Sequence, residues 1–138
     1  MNSILSLAAK VREKGNYIIQ KKLKDNSLDG LCPSHGDILN ILFNKGSSTM
    51  AELATQIHKT KATTTVLVDK LQNKDIIERE TNKKDARSTI ISLTENGKKL
   101  KPFFDDVSKD LDSMISEKLT NEEINTLEKL LDKIVSNK

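Results

Sequence analysis

Apolar residues recur at helical intervals from the start of the chain. Ile4, Leu7, Val11 and Ile18 lie 3, 4 and 7 apart, and Ile19 and Leu23 continue the stripe. This spacing predicts a long first helix that stops before the turn-forming run DNSLDG. The stretch CPSHGDILNILF predicts a second helix, with Pro33 at a first helical position and Ile38, Ile41 and Leu42 facing inward. Ser34 and Asp37 read as its weak capping box, and NKGSS reads as the break after it. Thr49 with Glu52 is a full capping box, so a third helix starts there, anchored by Leu53 and Ile57. HKT is a tight turn, and Thr60 is the natural cap of a fourth helix reaching about Asn73. Thr64, Leu67, Val68 and Leu71 fall on its inner side. Ala62, Val66, Asp69 and Asn73 fall on the outer side, flanked by Lys61, Thr63, Thr65 and Lys70.

The period then changes from helical to short and β-branched. IIERE and STIISL, joined by a polar connection, read as a hairpin. Thr94 caps a fifth helix with Leu100, Phe103, Phe104, Val107, Leu111 and Ile115 on one stripe. Pro102 inside that stripe predicts a kink or a delayed regular part. Thr120 and Glu123 form another capping box, opening a sixth helix on Ile124, Leu127, Leu131 and Ile134. Two short helices across a tight turn, followed directly by a hairpin, make a winged helix-turn-helix. The expected fold class is therefore mainly α, a winged helix-turn-helix with additional N- and C-terminal helices. The 138 residues are expected to form a single domain, with residues 1–30 and 100–138 as dimerisation helices and about 33–97 as the winged lobe.

Composition narrows the function classes. Charged residues make up 31% and hydrophobic ones 36%, which fits neither a disordered tail nor a membrane protein. No apolar run approaches the ~18 residues of a membrane helix, and MNSILSLAAKVREK does not read as a signal peptide. A single cysteine, Cys32, cannot form an intramolecular disulfide, so a reducing cytoplasm is the expected compartment. Cys32 is a candidate redox thiol beside His35, set against the commoner reading of an incidental thiol. Two histidines, one cysteine and scattered carboxylates match no metal spacing, and no cofactor loop or catalytic set suggests an enzyme. Aromatic residues are 3% with no Trp, against a base-stacking platform. The net charge of +3 is small, but Lys59, Lys61, Lys70 and Lys74 face one acid, Asp69, over a short span. A local basic face of this kind fits a DNA footprint, although a solvated helix face is the commoner meaning of such a run in proteins at large.

The hairpin tip, TNKKDARS, sharpens the choice. It gathers Lys83, Lys84 and Arg87 around Asp85. As a wing after a helix-turn-helix it points at phosphates and the minor groove, where a narrow electronegative channel attracts a guanidinium. Asp85 suits such a tip if it orients Arg87 by a charge-assisted hydrogen bond.

Over nearly the whole chain in element order, and most densely from Leu53 to Leu100, the sequence resembles the MarR (multiple antibiotic resistance regulator) family of bacterial transcription factors. VDKLQNKDIIER resembles the end of its recognition helix and the start of its wing, DARS its wing-tip Asp-x-Arg signature, and SLTENGKKL its exit into the fifth helix. The resemblance implies a homodimer whose first, fifth and sixth helices intertwine, with two winged lobes reading a pseudo-palindrome of double-stranded DNA. It implies that Lys61, Ala62, Thr63, Thr65 and Val66 approach the major groove and Arg87 the minor groove. Thr49, Thr60, Lys70, Lys83, Lys84, Asp85 and Ser88 complete the candidate DNA-contact set. Val66 departs from the polar or basic residue of many relatives and offers only van der Waals contact, for instance to a thymine methyl. Cys32 stands where relatives often carry Thr, which points to Ser34 as the cap of the second helix.

Ile4, Leu7, Val11, Leu111, Ile115, Ile124, Leu127, Leu131 and Ile134 form the candidate dimer interface, because long apolar stripes at both ends of a small chain lack partner surface within one lobe. The expected function is a ligand-responsive regulator, a repressor by family analogy, with a small-molecule inducer between dimer base and lobe and an A·T-rich inverted repeat as its site. The rival is a winged-helix protein-interaction module without a specific DNA target, to be distinguished by the salt dependence of duplex binding.

Overall fold

The computed structural model describes residues 3–136. α1 (Ser3–Asp25) leads into α2 (Pro33–Lys45), then a short strand β1 (Ser47–Thr49), α3 (Met50–Gln56) and α4 (Lys61–Asn73). The strands β2 (Ile77–Asn82) and β3 (Asp85–Leu93) follow, then α5 (Glu95–Lys98), α6 (Lys101–Ser116) and α7 (Asn121–Val135). Capping chemistry sets most of these starts. Thr49, Thr60, Thr94 and Thr120 each accept a backbone N–H of the first turn with the side-chain oxygen. At Thr49 and Thr120 the Glu three residues on completes a capping box.

Two sequence expectations are corrected, and a third, the delay at Pro102, is met. α2 is not capped by Ser34 and Asp37. Its N-cap is Cys32, whose backbone N–H donates to His35 Nδ1 at 2.9 Å. With Pro33 at the first helical position the box lies two residues earlier, and a neutral imidazole serves as the returning acceptor. The run after α2 is not merely a break, because Ser47–Thr49 pair antiparallel with Ile90–Ser92 and make the hairpin a three-stranded sheet ordered β1-β3-β2. The fifth helix is two pieces. Thr94 caps the single turn of α5, and Pro102 sits in the first turn of α6, where its missing N–H costs nothing.

The core lies within the lobe. Leu31, Ile38, Leu39, Leu42, Leu53, Val68, Leu71, Ile76, Ile77 and Ile91 are buried, and Leu23 is the one buried residue of α1. Val107 is the one buried residue of α6, and α7 has none. The helices at the two ends therefore carry their apolar stripes into solvent. Ile4, Leu7, Val11, Ile115, Leu127, Leu131 and Ile134 are all exposed, while Leu111 and Ile124 are half-buried. Leu111 is partly used within the chain, since its Cδ2 lies 3.6 Å from where a Cβ would sit on Gly15 of α1.

Candidate nucleic-acid interface

α3 and α4 meet across a turn built by local rules. His58 adopts the left-handed conformation (φ 58°), and the Lys59 and His58 N–H groups return to the carbonyls of Ala54 and Thr55. This double closure ends α3 and lets Thr60 start α4 two residues later. Thr64, Val68 and Leu71 bury one side of α4, as their spacing predicts. Lys61, Ala62 and Thr63 are exposed, Thr65 is half-buried, and Val66 stays 68% exposed despite being apolar. The Thr65 hydroxyl donates to the Lys61 carbonyl and the Thr60 hydroxyl to Thr63 Oγ1. Those two donors are satisfied inside the helix, so the face they leave is weighted toward methyl groups.

Two residues of the candidate set are placed differently from the rest. Lys70 curls toward the α1–α2 loop, its ammonium 3.2 Å from where a Cβ would sit on Gly30. Thr49 is half-buried, and its hydroxyl is engaged by Glu52, which also receives Lys45 at 3.1 Å. These contacts, with the Lys45 bond first among them, hold the Glu52 carboxyl below its ordinary range.

The wing is longer than its sequence suggested, for the strands run on into the polar tip. Thr81 pairs with Thr89, whereas Asn82 pairs with Asp85. Residues 86–88 thus have no partner on β2, and this bulge carries Arg87. Its side chain is 94% exposed. Asp85 Oδ1 accepts the Arg87 backbone N–H at 3.0 Å and lies 3.5 Å from Arg87 Nε. The Ser88 hydroxyl donates to the Asp85 carbonyl, and the Lys84 N–H to Asn82 Oδ1. Asp85 therefore shapes the backbone under Arg87 and sits beside its guanidinium. Lys83 and Lys84 are exposed at the turn.

Sequence reasoning missed the tie between wing and helix. Arg79 on β2 bonds both Asp69 and Gln72 on α4. Asp69, expected as a bare outward acid, is thus neutralised from the wing. Asp69 and Arg79 are ten residues apart across a helix end, a separation no helical or strand period singles out.

His35 links α2 to the same helix. It is 3% exposed, its Nδ1 is used by Cys32, and its Nε2 is buried without a well-formed hydrogen bond, attracted by the Leu67 backbone. Burial first, then Lys70, holds the imidazole below its ordinary range. Cys32 is half-exposed at the cap. Among the described residues, no group of three or more His, Cys, Asp or Glu could hold a metal ion, and no helix is long and apolar enough to cross a membrane.

A crevice of about 170 Å³ separates α2 from α1 and α6. Its lining includes Leu23, Phe43, Phe104 and Val107 with Asp37, Asn40, Asn44 and Ser108.

An exposed helix after a tight turn, a strand-bulged wing and long terminal helices define a winged helix-turn-helix protein. A family model for the MarR family matches residues 31–89. The HTH-type transcriptional regulator MhqR of Bacillus subtilis (strain 168) is 30% identical over 106 residues, covering 76% of this chain and 72% of that protein. The chain belongs to the MarR family of transcriptional regulators. Two solved structures share its fold. A mutant MarR from E. coli complexed with operator DNA gives a TM-score of 0.85 at 24% identity, covering 97% of this chain and 94% of that one. The S. aureus MepR–DNA complex gives 0.86 at 22% identity, covering 96% of each chain.

Proposed function

We propose that this protein is a sequence-specific, double-stranded-DNA-binding transcriptional regulator. It acts in the cytoplasm as a homodimer on a pseudo-palindromic operator, as a ligand-responsive repressor. The observation that carries the reading is the pairing of an exposed outward α4 face with a wing tied to that helix by Arg79 and tipped by Arg87. Lys61, Lys83, Lys84 and Arg87 supply phosphate and minor-groove contacts. Ala62, Thr63, Thr65 and Val66 supply the groove-reading surface, with thymine methyls as the fitting targets.

The two ends of the chain supply the dimer, residues 1–30 and 100–138 forming its base and about 33–97 each lobe. A compact protein of 15.4 kDa exposes roughly 7,200 Å². This chain exposes 9993 Å², and Ile4, Leu7, Val11, Ile115, Leu127, Leu131 and Ile134 on α1, α6 and α7 are among its exposed apolar residues. An excess of roughly 2,800 Å² per chain is roughly 5,600 Å² for a pair, at the upper end of what obligate dimers bury in total. Two-fold symmetry then sets the recognition helices ~10 bp apart on one face of the duplex.

Selection from random duplexes by the purified protein tests the reading. A·T-rich inverted repeats with half-sites about one turn apart are expected, and binding should weaken steeply as salt rises. A single unrepeated half-site, an invariant G·C core under α4, or salt-independent binding would overturn it.

A further inference from the structure

Val66 is out of place as an exposed side chain. Among the described residues, every other exposed large apolar side chain lies on α1, α6 or α7, the helices proposed to form the dimer. Val66 instead sits on the outer side of α4, opposite the buried Thr64, Val68 and Leu71. Its neighbours on the helix surface are the residues three and four positions away, Ala62, Thr63, Asp69 and Lys70. Each leaves its surroundings without a free charge. Ala62 offers a methyl group alone. Asp69 is neutralised by Arg79 from the wing. The Lys70 ammonium reaches away toward Gly30, 3.2 Å from where a Cβ would sit there. Thr65, next in the chain, gives its hydroxyl proton to the Lys61 carbonyl at 2.9 Å. Thr63 accepts from the Thr60 hydroxyl and keeps its own proton free. The result is a patch of methyl groups with one hydroxyl at its edge, able to give or take a hydrogen bond.

We propose that Val66 reads the C5 methyl group of a pyrimidine, so that 5-methylcytosine serves there as thymine does. The inference rests on the DNA-binding reading above and names what one position of each half-site must carry. In the major groove thymine shows a methyl group and the O4 acceptor, whereas cytosine shows the N4 donor and no methyl. Telling O4 from N4 takes a fixed donor or a fixed acceptor. Of the neighbours of Val66, the fixed acceptor is Asp69, the residue type that receives cytosine N4, and Arg79 holds it. The fixed donor is Lys70, and it is turned away. The Thr63 hydroxyl suits either edge. The same holds for the paired purine, whose N6 donor or O6 acceptor also calls for a fixed partner. What is left to discriminate is the methyl, which cytosine lacks and 5-methylcytosine restores. Burying one methyl against Val66 is worth about fourfold in affinity, or about fifteenfold over two half-sites.

Two measurements on the whole chain test this. The first compares an alternating d(A-T) duplex with its d(A-U) counterpart, which lacks every C5 methyl, by fluorescence anisotropy at low salt. The parent should bind the thymine duplex about fourfold tighter or more. Val66→Ala, at an exposed position that leaves the core untouched, should lose most of that preference, and Val66→Ile should keep it. The second selects from two random duplex libraries, one built with cytosine and one with 5-methylcytosine throughout. Thymine should recur at one place in each half-site from the first library, and thymine and 5-methylcytosine should share that place in the second. Equal binding of the two alternating duplexes, a preference that survives in Val66→Ala, or thymine alone from the methylated library would each overturn the proposal. Equal binding that still weakens steeply with salt would leave the DNA-binding regulator standing, whereas binding to neither duplex would sink both. A Val66-dependent methyl preference without an inverted repeat would uphold Val66 and sink the dimeric operator alone.

Discussion

Adding one methyl group at Gly97 should pry apart the junction where the wing passes into α6. A Cβ there would lie 2.0 Å from the Ile76 carbonyl oxygen and 3.2 Å from Leu93 Cδ2. Carbon and oxygen in contact rest at about 3.3–3.6 Å, so the gap must open by roughly 1.3 Å or more. The obstacle is backbone and cannot rotate away. The Ile76 carbonyl also accepts the Thr94 N–H at 3.0 Å, and it shares the Thr94 hydroxyl, at 3.1 Å, with the Asp75 carbonyl at 2.6 Å. Lifting α5 by that distance loses the N–H bond and weakens the shared hydroxyl bond, at about 1–2 kcal/mol together. It also loosens Ile76 and Leu93, both buried, for about 1–2 kcal/mol. Better helix propensity of Ala returns about 1 kcal/mol. Gly97→Ala should therefore destabilise the protein by about 1–3 kcal/mol, read as the shift in urea midpoint followed by circular dichroism. Gly36→Ala is the control, for its added methyl meets nothing within 4 Å and it lies inside α2. It should be neutral or stabilising by up to about 1 kcal/mol. A Gly97→Ala protein as stable as the parent, or a Gly36→Ala protein equally damaged, would show that this packing account is wrong.

Acid should weaken the lobe through His35. Its folded pKa is depressed, so the folded state binds the proton less readily than the unfolded chain; the stability it contributes is complete above the unfolded value of about 6.5 and is lost as pH falls through the folded one. Urea midpoints of the parent should fall between about pH 7.5 and 5.5 more than those of His35→Gln, and parallel slopes would refute the assignment. Leu131→Asp should convert a micromolar dimer to monomer in sedimentation velocity, since a carboxylate would replace an apolar contact in the proposed base; an unchanged dimer would remove Leu131 from that interface. Arg87→Ala should weaken operator binding roughly tenfold or more with the dimer intact. Asp85→Ala should weaken it too although a negative charge is removed, because Asp85 holds the Arg87 backbone N–H; tighter binding in an electrophoretic shift would mark Asp85 as merely repulsive.

Local chemistry made most of the elements legible in the sequence. The capping pairs at Thr49 and Thr120 depend on residues three apart, and the inner side of α4 on a 3.6-residue period, so both were visible without a fold. The apolar stripes of α1 and α7 were equally visible, and the tertiary structure added that the lobe does not cover them. What the sequence left undecided depends on partners distant in the chain. Ser47–Thr49 has no alternation to mark it as a strand and becomes one only because β3 lies alongside. The bulge under Arg87 is a matter of register, which is set by how two strands meet. The Arg79 tie to Asp69 and Gln72 joins a strand to a helix, and the Asp37 crevice joins three helices. Side chains that act at short range are recorded in the local order of residues, whereas those that act across elements acquire their meaning only when the chain has packed and water has been removed from between them.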